Sequence, residues 1–143
     1  MDPQQWKIRA AQDVDVEGLF PIVAEFATSF VPQRTAFQRA FQRVQRDDHA
    51  CLLVADHGGR PIGYLLGFEH PTFFANGPVA WVEEVAVASS WRRKGVGRAL
   101  MVQFEEWAAS RRAKLVALAT RRAAEFYRVL GYTDSAAYFR KLL

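Results

Sequence analysis

The chain has a single cysteine and no long hydrophobic run. Cys51 is the one cysteine among 143 residues, so no disulfide can form within the chain. Its position in an apolar, strand-like run favours a buried, inert thiol over a catalytic one. No apolar run is long enough to cross a membrane, and Met1 to Gln4 begin neither a signal peptide nor a basic transit segment. These absences predict a cytoplasmic protein without a membrane partner.

The chain also lacks the spacings that bind metal or read nucleic acid. His49, His57 and His70 have no partner ligands at zinc-like spacing, so no metal site is predicted. The net charge of +4 and the pI of about 9.6 raise the question of nucleic acid. The cations are spread along the whole chain and match no helix-turn-helix or zinc-finger pattern. We therefore predict no nucleic-acid partner and keep a basic interaction protein as a lesser alternative.

Length and patterning predict one layered domain over residues 1–143. A chain of this size can bury a sizeable core without disulfides or metal. Apolar periodicity predicts strands at residues 6–10, 49–55, 61–68, 79–88, 114–119 and 138–142. It predicts helices over residues 16–30, in the segment after Pro32, and over residues 96–111 and 123–130. In the first of these helices, Pro21 must lie either near a late start or at a kink. This order of elements indicates a mixed α/β sheet.

The most informative segment is the basic, glycine-containing run between the strand at 79–88 and the helix that follows it. We call it the cradle, and it consists of Arg92, Arg93, Lys94, Gly95, Val96, Gly97 and Arg98. Two glycines leave room for backbone N–H groups to turn towards a ligand at a helix start, and the helix dipole attracts anions. The cations add counter-charge. The run therefore predicts a pyrophosphate site, with a solvated basic turn as the alternative.

Two well-known phosphate loops do not fit the cradle. A P-loop needs Lys-Ser or Lys-Thr after its second glycine, whereas Arg98 and Ala99 follow Gly97. A dinucleotide fingerprint needs a third glycine and a position near the first strand of a βαβ unit. Both alternatives are excluded.

Two adjacent carboxylates, Glu83 and Glu84, lie in the middle of the strand before the cradle. Strand alternation predicts that Glu83 shares a face with Trp81, Val85 and Val87, and that Glu84 lies on the opposite face with Ala86. A carboxylate in mid-strand is expected to be partly desolvated and so more basic. One of the two is therefore a candidate general base, with pairing to an arginine as the alternative.

Three segments taken together resemble the GNAT superfamily of acyl-CoA-dependent N-acetyltransferases over about half the chain. They are residues 81–87 (WVEEVAV), residues 92–97 (RRKGVG) and residues 126–132 (FYRVLGY). The resemblance implies a single-domain α/β (α+β) fold in which about four helices flank a mixed, mostly antiparallel sheet with a splayed central strand pair. It also implies acetyl transfer from acetyl-CoA to a primary amine in a ternary complex, without metal. A non-catalytic acyl-CoA-binding regulatory module is the alternative.

The resemblance also assigns roles along the donor site. The cradle, Arg92 to Arg98, would hold the pyrophosphate of acetyl-CoA, and the backbone of Val85, Ala86 and Val87 would pair with the pantetheine arm. Tyr127 matches the position that protonates the departing thiolate, with a core aromatic as the alternative. Many members carry an asparagine where this chain has Thr120, whose hydroxyl would contact the pantetheine arm or a water.

For the acceptor site the resemblance is less specific. Glu83 matches a frequent position for removing the proton of the amine, with Glu84 or water alone as alternatives. We assign Phe30, Phe73, Phe74, Trp81 and Glu84 to the acceptor site, against the alternative that most of the aromatic residues are core. The identity of the amine stays open. A homodimer is compatible with the family.

Overall fold

A five-stranded sheet with the order β1-β2-β3-β4-β5 forms the centre of the computed structural model, which describes residues 5–143. Met1 to Gln4, for which no targeting signal is predicted, lie outside the described residues. The strands are β1 (Lys7–Ala10), β2 (Ala50–His57), β3 (Arg60–His70), β4 (Val79–Val87) and β5 (Val116–Leu118). The helices are α1 (Val16–Phe26), α2 (Arg34–Gln45), α3 (Val96–Ser110) and α4 (Ala124–Val129). The predicted mixed sheet with four flanking helices is confirmed.

The sheet opens on one side of β4. Strands β1 to β4 pair antiparallel, and β4 stays paired with β3 as far as Val87 opposite Gly63. Strand β5 runs parallel to β4 but pairs with it only from Ala80 to Val82. The pairing ends at Val82 because β5 ends at Leu118, so β4 continues from Glu83 to Val87 without a strand on that side, in agreement with the predicted splayed pair. We call the resulting space the β4–β5 opening.

A β-bulge in β4 interrupts the pairing with β3 near this opening. Leu66 pairs with Glu84 and Gly67 pairs with Val82, so Glu83 is the extra residue. A bulge of this kind shifts the alternation of side chains by one position. Phe104 from α3 packs against Gly67, where an added Cβ would overlap the phenyl ring. The glycine thus lets the aromatic ring lie directly on the backbone of the strand.

Two apolar layers cover the two faces of the sheet. The layer under α3 holds Val96, Leu100, Met101 and Phe104, which pack with Leu53, Leu65, Ala80 and Val82 of the strands. The layer under α1 and α2 holds Leu19, Ile22 and Phe41, which pack with Val54, Tyr64 and Ala86. Within residues 5–143, none of the helices is both long and apolar enough to cross a membrane.

Cys51 lies in β2 with 7% of its surface exposed, and burial raises the pKa of its thiol to about 12. A thiol in this state stays protonated and unreactive at neutral pH. The expectation of a buried cysteine is confirmed.

Two predicted elements differ from the structure by more than one or two residues. The helix predicted to reach Phe30 ends at Phe26, because the backbone at Ala27 is extended. Pro21 lies inside α1. The strand predicted at residues 138–142 is wrong, since the chain after α4 has no regular structure there. Tyr138 and Phe139 are adjacent and both exposed, so the segment has no alternating apolar face to bury.

Candidate functional site

The N-terminus of α3 offers three backbone amides without an acceptor in the helix. The first bond of the helix runs from Ala99 N–H to the Gly95 carbonyl over 3.1 Å, and no side chain caps this end. The N–H groups of Val96, Gly97 and Arg98 therefore have no intrahelical partner. Val96 itself is buried beneath the helix, so it contributes only its backbone. This end of α3 is suited to binding an anion.

The cradle turns through left-handed backbone just before the helix. Arg93 has φ 62° and Gly95 has φ 85°. The first value is uncommon for a side chain with a Cβ, and such conformations concentrate at ligand-binding turns. Left-handed residues alternating with ordinary ones direct successive N–H groups to the same side of the chain. The backbone therefore has the form of an anion-binding concavity.

The cations of the cradle fall into two groups. Arg92 donates from Nε to the Val87 carbonyl over 3.1 Å and from NH2 to Glu25 over 3.0 Å, so its guanidinium ties β4 to α1. The Lys94 ammonium lies 5.7 Å from the centre of the Trp91 ring. Among the described residues no hydrogen bond or ion pair engages the side chains of Arg93 and Arg98, which are exposed. These two are the cations free to meet a phosphate.

Two residues of β4 turn their backbone groups towards the β4–β5 opening. Ala88 N–H donates to the Ile62 carbonyl, so the alternation of an antiparallel ladder directs the N–H and C=O of Ala86 to β3. The same alternation directs those of Val85 and Val87 away from β3. The contact of Arg92 with the Val87 carbonyl agrees with this direction. Of the three residues assigned to a pantetheine arm, Val85 and Val87 face the opening.

The aromatic pair of α4 reaches the junction of the cradle and β4. A Cβ at Gly97 would lie 3.5 Å from Phe126 Cζ and 3.9 Å from Val87 Cγ2. The ring of Tyr127 makes an edge contact with Phe126 and another with Tyr132. Burial raises the pKa of the Tyr127 hydroxyl, which keeps it protonated at neutral pH. Tyr127 is thus a half-buried phenol with a proton to donate.

Each carboxylate of the bulge is held by one aromatic side chain. Trp81 Nε1 donates a 2.7 Å hydrogen bond to Glu83 Oε2, and the Tyr64 hydroxyl donates a 2.7 Å bond to Glu84 Oε1. Glu83 is exposed, whereas Glu84 is half-buried. The expected desolvation of Glu83 is therefore wrong.

The predicted separation of the two carboxylates is also wrong. Ala80 and Val82 face α3, so Trp81 and the Glu83 that it contacts lie on the other side of the sheet. Glu84 lies on that side as well, with Tyr64, in the layer under α1 and α2. The bulge inserts one residue and so brings both acids to the face away from α3.

Thr120 caps the approach to α4. Its Oγ1 accepts a 3.0 Å hydrogen bond from Ala123 N–H. A hydroxyl that accepts in this way still has its own hydrogen to donate. Thr120 can therefore accept from Ala123 and donate to a ligand at the same time.

The aromatic residues assigned to an acceptor pocket are mostly exposed. Phe30 is 69%, Phe73 105% and Phe74 76% exposed, so the alternative that they are core residues is wrong. Trp81 is half-buried. In the part of the chain that the structure describes, no ring contact joins any two of these four. They remain separate surface positions on two loops and on β4.

Surface depressions do not mark the opening. One of about 410 Å³ borders the cradle and is lined by Ile8, Gly95, Arg98, Ala99, Val102 and Gln103. A larger one of about 600 Å³ lies along α2 and contains none of the predicted site residues. The groups able to bind a ligand are instead the backbone amides at the start of α3 and the outward backbone groups of β4. Among residues 5–143, no group of three or more His, Cys, Asp or Glu side chains is placed to hold a metal ion.

Two tyrosines near the site were missed by the sequence analysis. Tyr64 lies in the apolar run of β3, where a buried phenol signals the need for a hydrogen-bond partner. Tyr132 donates a 2.6 Å hydrogen bond to Glu105 Oε2 and contacts the ring of Tyr127. Burial, followed by the carboxylate partner, raises the pKa of both hydroxyls. The sequence shows the residue types but not the distant carboxylates that they meet.

Comparison with known proteins places this geometry in a family. No curated protein matches the sequence at a significant level. Among solved structures, a transcriptional regulator from Bacillus halodurans C-125 is 26% identical, with a TM-score of 0.88 over 97% of this chain and 100% of that one. An acetyltransferase from Trypanosoma brucei is 22% identical, with a TM-score of 0.85 over 97% and 100% of the two chains. Glucosamine-6-phosphate N-acetyltransferase from Arabidopsis thaliana is 19% identical, with a TM-score of 0.85 over 96% and 98%.

The two acetyltransferase structures are less than 25% identical to this chain, so their similarity shows a shared fold. The sequence model described as the acetyltransferase (GNAT) family matches residues 17–132, which include the cradle, β4 and α4. The expectation drawn from the three motifs is confirmed, and the chain belongs to the GNAT family of acetyltransferases.

Proposed function

We propose that the protein transfers an acetyl group from acetyl-CoA to a primary amine by direct attack within a ternary complex. The observation that supports this most strongly is that the unpartnered amides at the start of α3 lie close to the end of β4, whose backbone also has groups directed away from β3. The unpartnered amides of residues 96–98 lie at the start of α3, and a Cβ added at Gly97 there would lie 3.9 Å from the side chain of Val87 in β4. A ligand with a pyrophosphate at one end and an amide-containing arm suits both.

The residues present fit acetyl-CoA. The α3 amides and the exposed Arg93 and Arg98 would hold the pyrophosphate. The outward N–H and C=O groups of Val85 and the outward N–H of Val87 would pair with the amides of the pantetheine arm, as a strand edge pairs with an extended peptide, while the Val87 carbonyl accepts from Arg92. When bound, acetyl-CoA supplies a thioester as the activated acyl donor. The β4–β5 opening then directs the acyl end towards the bulge.

Three side chains would handle the protons and the amine. Glu84 would bind the acceptor nitrogen, and Glu83 would take its proton through a water molecule, since Glu83 is exposed. Tyr127 would donate its hydroxyl proton to the sulfur as CoA leaves, which its raised pKa allows because the proton is retained until then. The new C–N bond replaces the C–S bond, and the products are the amide and CoA thiol.

The acceptor side is proposed more coarsely. Phe30, Phe73, Phe74 and Trp81 would contact apolar parts of the acceptor, and Thr120 would donate its hydroxyl hydrogen to the pantetheine arm or to a water. A cytoplasmic location is supported by a lone, buried thiol, which suits a reducing compartment. A homodimer and the exclusion of nucleic acid stay predictions of the sequence.

The experiment is a CoA-release assay with purified protein across amine classes: lysine side chains in peptides, peptide N-termini, free amino acids and small amines. The same compounds in N-acetylated form are the matched controls, because they lack a nucleophilic nitrogen. A thiol reagent will report CoA without background from Cys51, which is buried and protonated. We expect release with at least one free amine and none with its acetylated form.

Acetyl-CoA binding is measured separately by calorimetry. Binding without release for any amine would contradict the enzyme and identify a non-catalytic acyl-CoA-binding module. Absence of acetyl-CoA binding would overturn both. Salt-dependent binding to duplex DNA in a protein that ignores CoA would instead favour the basic interaction protein.

A further inference from the structure

The buried hydroxyl of Tyr64 has no function in the mechanism above. Tyr64 lies in β3, is 2% exposed and packs among Leu19, Ile22 and Phe41. A phenol in such surroundings needs a hydrogen-bond partner, and phenylalanine would fill the same space without that requirement. The partner is Glu84 Oε1, 2.7 Å away and twenty residues along the chain. A polar atom is therefore retained in an apolar layer for one contact with a residue of the bulge.

The direction of this hydrogen bond is fixed. Burial and the neighbouring Glu84 charge raise the pKa of the Tyr64 hydroxyl, so the phenol is the donor and the carboxylate the acceptor. A bond to an ionised acceptor is short and strong. It holds one oxygen of Glu84 against the rigid centre of the sheet. No hydrogen bond from a described residue reaches the other oxygen, Oε2, and the side chain is half-exposed.

The position of Glu84 gives that second oxygen a use. Glu84 is two residues beyond Val82, where the pairing of β4 with β5 ends, and lies with Tyr64 on the face away from α3. The start of α3 and Tyr127 belong to the opposite layer. The acyl end of a donor in the opening would therefore have Glu84 on the side that the donor machinery leaves open.

We propose that Tyr64 is a positioning residue that fixes Glu84 so that Oε2 receives an N–H of the protonated acceptor amine. This inference rests on the proposed function and deepens it: the acceptor class is a cationic primary amine, recognised by a preset carboxylate. A fixed oxygen loses little freedom on binding, so the contact contributes to affinity for the acceptor more than a mobile glutamate would. Tyr64 touches neither substrate and acts through Glu84 alone.

The test is a double-mutant cycle of Tyr64→Phe and Glu84→Gln, with Tyr138→Phe as the matched control. Tyr138→Phe also removes one phenol oxygen, but from an exposed side chain, and we expect no change. For Tyr64→Phe we expect the KM of the best amine to rise about tenfold, the effect of one hydrogen bond to a charged group. The kcat and the acetyl-CoA affinity should stay the same. In the Glu84→Gln background, Tyr64→Phe should cause no further rise in the KM of the amine.

A purely structural role for Tyr64 gives a different result. It would leave the KM of the amine unchanged, or would make the two losses multiply in the double mutant, and either outcome overturns the proposal. Glu84→Asp is a second route if Tyr64→Phe does not fold, because its shorter side chain withdraws the charge from the phenol without touching the buried ring. It should raise the KM of the amine as well, and an unchanged KM overturns the proposal.

Failure of the proposed function has its own signature. If none of the tested amines leads to CoA release by the wild-type protein, the proposed acetyl transfer is wrong, and the role of Tyr64 is wrong with it. If wild-type protein is active and Tyr64→Phe is indistinguishable from it, only the positioning role is wrong.

Discussion

Phe104 of α3 lies directly on Gly67 of β3, at the pair where the β3–β4 register shifts by one residue. The phenyl ring is fully buried and occupies the space that a Cβ of residue 67 would take. The bulge that presents Glu83 and Glu84 is thus packed from the opposite face by one aromatic side chain. Glycine at 67 is a requirement of this packing.

Gly67→Ala should destabilise the protein by about 1–3 kcal/mol, because the methyl group overpacks the core against Phe104. The measurement is the free energy of unfolding in urea. Gly97→Ala is the matched control, since a Cβ there meets Phe126 only at an ordinary distance of 3.5 Å. Equal stability of the two variants would contradict the close approach of Phe104 to β3.

Gly97→Ala should weaken acetyl-CoA binding at least about tenfold while leaving the fold intact. The added methyl lies between Phe126 and Val87, on the path from the α3 amides to β4. Alanine also suits a helix better than glycine, by about 0.5–1 kcal/mol, so the unfolding free energy should not fall. Calorimetry with acetyl-CoA, beside urea unfolding, separates the two effects. An unchanged affinity would show that acetyl-CoA does not bind between the start of α3 and β4.

Gly95 offers a less selective test of the cradle. Its φ of 85° belongs to the left-handed region, where any Cβ is strained. Gly95→Val should abolish acetyl-CoA binding, yet it also distorts the backbone of the loop. Equal stabilisation of wild type and Gly95→Val by acetyl-CoA in a thermal-shift titration would overturn the cradle assignment.

Glu83→Gln should lower kcat by about 10²-fold, the lower end for acid–base catalysis, with the acetyl-CoA affinity unchanged. Glutamine keeps the contact with the Trp81 indole through its carbonyl oxygen but takes up no proton. Glu106→Gln on α3 is the control, because Glu106 is an exposed glutamate distant in sequence from the bulge. A larger kcat loss in Glu84→Gln than in Glu83→Gln would transfer the role of base to Glu84.

Tyr127→Phe should lower kcat by about 10²-fold and preserve the fold and the acetyl-CoA affinity. The ring contacts with Phe126 and Tyr132 remain, and only the proton donor is lost. Part of the loss should disappear with a donor whose thiol is a better leaving group. An unchanged kcat would reduce Tyr127 to a packing residue.

The pH profile gives a second measure of Tyr127. Because burial raises the pKa of its hydroxyl, the acid form persists above the ordinary phenol value of about 10. The kcat of wild type should therefore show no loss from this group between pH 7 and about 10. A Tyr127-dependent fall in kcat within that range, absent in Tyr127→Phe, would contradict the role of a proton donor with a raised pKa.

Local sequence patterns predicted most of the fold because they report on local geometry. Gly58 and Gly59 mark the β2–β3 turn and adopt positive φ, and Gly131 ends α4 in the same way. The apolar stripe of α3, with Gly95 before it and Gly97 in its first turn, also indicated the cradle. These features depend on residues close together in the chain.

The errors concern relations between distant residues. Strand alternation predicted that Glu83 and Glu84 lie on opposite faces. The bulge that brings them to one face depends on the pairing of β4 with β3 and on the packing of Phe104 against Gly67, which are contacts between residues distant in the chain. The hydrogen bond from Tyr64 to Glu84 likewise joins two strands, and neither residue type alone reveals it. The C-terminal segment failed for a different reason: its composition suits a strand, but its apolar residues do not alternate.

The short pairing of β5 also has a consequence for local unfolding. Strand β3 has hydrogen-bonded neighbours on both sides, whereas β5 meets β4 over three residues only. Amide hydrogens of β3 should exchange with solvent only when the whole domain opens, while those of β5 exchange through small local openings. Tyr64 lies on β3, the strand expected to exchange slowly, and the bulge that carries Glu83 and Glu84 is fixed by pairing with the same strand. The chain that follows β5 has no strand partner, so we expect this side of the opening to adjust to ligands of different width while Glu83 and Glu84 keep their positions.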